Sequence, residues 1–96
     1  MTLEDLYNTE RARIRKLALR YSRMFRAEPE DLEQTGALAV CETYLRYVDR
    51  TTDEDMLMLS HRIINRMMYK YALKELKHKK TLPLDKPERR RNEEIN

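Results

Sequence analysis

The chain has 96 residues, 20 Lys+Arg against 17 Asp+Glu, one Cys, one Gly and no Trp. That length allows one domain with a modest core. A single Cys excludes an intrachain disulfide framework, and a single Gly excludes the hairpin turns and phosphate-cradling loops that need several. No apolar run approaches the length of a membrane span, and Met1–Glu10 carries three acids and no apolar block, so neither a transmembrane segment nor a signal peptide is expected. Leu, Ala, Glu, Lys, Arg and Met dominate and are strong helix formers, so the expected fold class is all-α, and the expected compartment is the cytoplasm.

The first helix is expected over Leu3–Phe25. Thr2 suits its N-cap, and Glu4 and Asp5 suit the positive end of its dipole. Ile14, Leu17, Ala18, Tyr21, Met24 and Phe25 recur at three- and four-residue spacing and predict its apolar face. A break follows at Arg26–Glu28, because the residue before Pro29 avoids the helical region. The second helix is expected to start at Pro29, with Glu30, Asp31 and Glu33 at its dipole end. Leu32, Leu38, Val40, Cys41, Tyr44, Leu45 and Val48 supply its apolar positions. Gly36, internal to it, costs roughly 1 kcal/mol against Ala and so signals close approach of another helix or chain. Thr52–Asp55 resembles a capping box for a third helix reaching Lys79. In that helix Met56, Leu59, Ile63, Met67 and Tyr71 form one apolar row, broadened by Leu57, Ile64, Met68 and Ala72. Residues 1–80 are therefore read as one helical domain, and 81–96 as a proline-containing linker and flexible polar tail.

The charge is strongly segregated. Residues 11–26 carry seven bases and no acid, a net +7. Residues 28–55 carry nine acids against Arg46 and Arg50, a net −7, and residues 62–80 carry seven bases against Glu75, a net +6. Arg62, Arg66, Lys70 and Lys74 step by four and form a basic ridge, with Tyr69 and Tyr71 interleaved. Four phosphate contacts from that ridge would give a log–log salt slope of about −3 to −4. His61 and His78 lie far apart in sequence and Cys41 stands alone, so no metal site, cofactor or catalytic set is expected. His61 is read as exposed and the Met residues as core filling, and the chain is read as not an enzyme.

Leu17, Ala18, Arg20 and Tyr21, then Glu30, Asp31, Leu32, Gln34, Gly36, Leu38 and Val40, then Tyr44 and Tyr47, form an ordered pattern. It resembles the second conserved region of bacterial RNA polymerase sigma factors of the sigma-70 family. Ser60–Leu76 resembles that family's promoter-reading helix, and Thr81–Pro87 its short leucine–aspartate–any–proline linker. The resemblance implies a bundle of three or four helices whose acidic second helix docks on the coiled coil of the polymerase clamp. Carried over by position, Asp31, Gln34, Thr35, Ala37 and Cys41 would face that partner, while Arg62, Arg66, Tyr69, Lys70 and Lys74 would face promoter DNA. Three departures stand out: Thr35 replaces a usual acid, Ala39 replaces a second glycine, and Asp55–Ile63 lacks the family's promoter-melting aromatics. The resemblance leads to the expectation of a sigma-like factor that binds polymerase core, with one half of a split sigma factor, completed by a separate helix-turn-helix subunit, as the form considered, since no segment for reading the −35 element is expected. The small size suits a phage or mobile-element product. Two alternatives stay open: a decoy that occupies the clamp without opening promoters, and a helical DNA- or protein-binding module unrelated to polymerase.

Overall fold

The computed structural model describes residues 1–81. Three helices lie among them: α1 (Leu3–Phe25), α2 (Pro29–Tyr47) and α3 (Asp53–Thr81). The domain is a small all-α bundle, and no strand occurs among the described residues. Thr81, expected to open the linker, is instead the last residue of α3. The linker and tail expected after it lie outside the described residues.

Local chemistry sets each boundary. Thr2 Oγ1 accepts the Asp5 N–H at 3.0 Å and the Asp5 carboxylate accepts the Thr2 N–H at 3.1 Å, a complete capping box at the start of α1. The Thr2 backbone N–H, and then the Thr2 hydroxyl, hold the Asp5 carboxyl below its ordinary value of 3.8. A carboxyl lowered on folding stabilises fully above its unfolded pKa and loses that contribution as pH falls through the folded one. Acid titration of stability should therefore lose part of its low-pH limb in Asp5→Asn; identical limbs in the variant and the parent would mean that the box contributes nothing.

α1 ends at Arg26, whose φ of 61° places it in the left-handed region while its N–H bonds the Ser22 carbonyl at 2.9 Å. Glu28 is extended before Pro29, as its neighbour requires. These two residues turn the chain back on itself within three positions. α2 has no side-chain cap at Glu28; Pro29, Glu30 and Asp31 in the first turn serve its N-terminus. At α3, Thr52 Oγ1 accepts the Asp55 N–H at 3.1 Å, one half of the expected box.

The helices run up, down, up. Met1 pairs with Asp53, Glu10 with His61, and Tyr21 with Asn65, so α1 and α3 run parallel, with α2 antiparallel to both. The core joins Leu6, Ile14, Leu17 and Ala18 of α1 to Leu32, Ala39 and Val40 of α2, and to Met56, Ile63, Ile64, Met68 and Ala72 of α3. Gly36 lies where the three meet: a Cβ there would sit 2.7 Å from Ile14 Cγ2 and 3.1 Å from Met68 Sδ. The close approach expected of Gly36 is thus made by α1 and α3 together.

Two expected faces need correction. Met24 is exposed, because the contact between α1 and α3 at that level is made by Tyr21, Phe25 and Tyr69. Leu38 and Leu45, expected in the α2 core face, are 59% and 74% exposed, and Val48 is exposed as well. The buried face of α2 instead carries Gly36, Ala39 and Thr43 besides the expected Leu32 and Val40. Small residues are needed there because two helices approach the α2 backbone closely. Thr43 fits by donating its hydroxyl to the Ala39 carbonyl at 2.7 Å, so its own buried donor is paired.

Candidate docking and nucleic-acid surfaces

The outward side of α2 carries Asp31, Gln34, Leu38, Cys41, Leu45 and Val48. Their spacing alternates three and four, the seam of a helix that packs on another helix. Asp31, Gln34, Leu38, Leu45 and Val48 are exposed, and Cys41 is a free thiol half in solvent. Glu30, next to Asp31, and Glu42, next to Cys41, are exposed beside the seam. An apolar line rimmed by carboxylates is therefore open to solvent along much of α2.

The five residues carried over from the resemblance are distributed on and beside this seam. Asp31, Gln34 and Cys41 lie on it. Thr35 and Ala37, half-buried, flank it, and the Thr35 hydroxyl donates to the Asp31 carbonyl at 2.9 Å. Leu38 and Leu45 are the seam's largest apolar groups, and sequence reasoning assigned them to the core. Their seven-residue separation with Asp31, three positions at one repeat, was the available signal. The Asp31 carboxylate also accepts the Tyr71 hydroxyl at 3.4 Å. Burial first, then the carboxylates of Glu75 and Asp31, push the Tyr71 phenol above its ordinary value, so it remains a donor. Tyr71 thus turns toward α2 and does not interleave with the basic ridge.

On α3, Arg62, Arg66, Lys70 and Lys74 are all exposed, and no ion pair engages them among the described residues. Lys77 and His78 continue the exposed face. Tyr69 is 44% exposed, and its ring meets Tyr21 at 6.1 Å and Phe25 at 5.6 Å, both edge-on. Tyr21 also donates to Asn65 Oδ1 at 3.4 Å. The ring cluster spans α1 and α3, so no reading of α3 alone could find it.

A third polar cluster lies inside. Glu10 of α1 is 1% exposed; its carboxylate accepts the Ser60 hydroxyl and meets His61 Nε2 at 3.0 Å. His61, expected to be simply exposed, is half-buried and tied to α1. Ser60 is fully buried and donates toward Glu10 or the Leu57 carbonyl, so this is a tie between helices and gives a substrate no access. The signal in the sequence was an acid at the four-residue step between Leu6 and Ile14.

Among the described residues no group of His, Cys, Asp and Glu could hold a metal ion, and no helix is long and apolar enough to cross a membrane. Fold and surfaces together define a three-helix module with one acid-rimmed apolar seam and one basic ridge. Comparison with protein families, with curated proteins and with solved structures found no match to this chain.

Proposed function

We propose that the chain is a sigma-like transcription factor that binds RNA polymerase core through α2 and contacts promoter DNA through α3. The observation that carries this reading is the α2 seam. Leu38 and Leu45 stand in solvent on a heptad line beside Glu30, Asp31 and Glu42. Exposed large apolar groups in a line mark an interaction surface, and the acidic rim selects a cationic helical partner. A second copy of the chain would bring like charges together along the same rim. The basic coiled coil of the polymerase clamp, which the sigma-like pattern implies, has the complementary shape and sign. The basic ridge of α3 then faces the DNA phosphates. In this reading the chain acts in the cytoplasm as one half of a split sigma factor, with a second helix-turn-helix subunit for the upstream element.

Capture of core polymerase by the tagged chain tests the reading. Leu38→Glu with Leu45→Glu should weaken capture at least roughly a hundredfold, since each buried Leu contributes about 1.5–3 kcal/mol. Asp31→Ala with Gln34→Ala should weaken it less, by removing charge-assisted hydrogen bonds at the rim. Full capture by the double Glu variant would remove the seam as the docking site. Run-off transcription separates the sigma role from a decoy: promoter-specific product requires the first, and competition with a sigma factor without product identifies the second.

A further inference from the structure

A groove of about 250 Å³ opens between α2 and α3, lined by Glu42 and Arg46 from α2 and by Ile63, Arg66, Met67 and Lys70 from α3. Ile63 is buried and Met67 half-buried, so the floor is apolar, while the four charged groups at the walls are exposed. None of the three cations is ion-paired among the described residues. Three cations thus surround one carboxylate, and the excess positive charge is uncompensated.

The geometry points to a phosphodiester subsite in this groove, with Arg46 of α2 as a DNA-contacting residue opposite Arg66 and Lys70. The inference rests on the reading of α3 as the DNA face and extends that face onto a second helix. The α3 ridge alone grips a strand from one side. Arg46 supplies the other wall, and its planar guanidinium matches a phosphate bidentately. The ligand is a polymer because the groove is continuous with the ridge: Arg62 and Lys74 lie one turn beyond Arg66 and Lys70, so a linear polyanion reaches groove and ridge together. A free phosphate could use the groove only. Glu42 opposes any phosphate there, so its removal acts with the opposite sign to the loss of Arg46.

The test is fluorescence anisotropy of a labelled DNA oligonucleotide against the full chain over a salt series. Arg46→Ala should weaken binding about eightfold at 0.1 M salt and reduce the log–log slope by about 0.9, the contribution of one phosphate contact. Glu42→Gln should tighten binding. Arg46→Ala is an exposed change, and an unaltered far-UV circular dichroism spectrum checks that it folds. Arg46→Ala with wild-type affinity and slope, while Arg66→Ala and Lys70→Ala weaken binding, would overturn the groove subsite and leave the DNA reading standing. Wild-type behaviour of all three variants would overturn the DNA reading itself. In a parallel arm inorganic phosphate is titrated at fixed ionic strength. Displacement of DNA by low millimolar phosphate from the parent but not from Arg46→Ala would assign the groove to a small anion and overturn the polymer subsite.

Discussion

Gly36→Val should destabilise the bundle by about 3 kcal/mol or more. Even an alanine Cβ at this position would lie 2.7 Å from Ile14 Cγ2 and 3.0 Å from Ile14 Cγ1. Ile14 is 3% exposed and β-branched, so its χ1 has little freedom to give way. Met68 Sδ, at 3.1 Å, belongs to an unbranched side chain and can shift more cheaply. Overpacking of this kind costs about 1–3 kcal/mol, and removing a mid-helix Gly returns about 1 kcal/mol of helix propensity. Gly36→Ala should therefore lose up to about 2 kcal/mol, and Gly36→Val, with two further methyls in the same space, the upper end of the overpacking range or more. Urea denaturation followed by circular dichroism measures both. Ile14→Ala supplies the control: alone it opens a cavity, and in combination with Gly36→Ala the new Cβ enters the vacated volume. The two changes should couple favourably by about 1 kcal/mol or more. Strict additivity would mean that the helices do not cross at Gly36.

Glu10 is the second sensitive point, because a buried carboxylate depends on its hydrogen bonds. Ser60→Ala removes one of its two side-chain partners and leaves His61, which is itself half in solvent. The loss should be about 1–3 kcal/mol, the cost of an under-satisfied buried polar group. Glu10→Ala should lose about 2–4 kcal/mol, since it adds a void between α1 and α3. Glu10→Leu should be far milder. It fills the space with apolar volume, and the Ser60 hydroxyl still has the Leu57 carbonyl at 2.9 Å. The decisive comparison is the double variant Glu10→Leu with Ser60→Ala, which should be more stable than Ser60→Ala alone. If it were less stable, the Glu10 carboxylate would not be what Ser60 serves.

These two sites mark how much of the protein can be read along the chain. Gly36 announces a close contact by its residue type, yet nothing local names Ile14 and Met68 as its partners. Glu10 interrupts an apolar row, yet its partners lie about fifty residues away on another helix. The candidate surfaces divide in the same manner. The basic ridge was legible because four cations at one step must share a helix face. The α2 seam was only half legible: Asp31, Gln34 and Cys41 came from a pattern, whereas Leu38 and Leu45 were assigned inward on hydrophobicity alone. Arg46 gave no signal at all, since its place beside Arg66 and Lys70 exists only when α2 packs on α3.

The sequence by itself determined the helices and where each of them begins. Thr2, Asp5, Pro29, Thr52 and Asp55 act within one turn, through hydrogen bonds to free backbone groups and through the fixed φ of proline. Only the tertiary structure decided which side of α2 faces inward. The two neighbouring helices come close enough that Gly36, Ala39 and Thr43 fit against them where Leu would not. The larger apolar residues are left outside, where a partner can reach them.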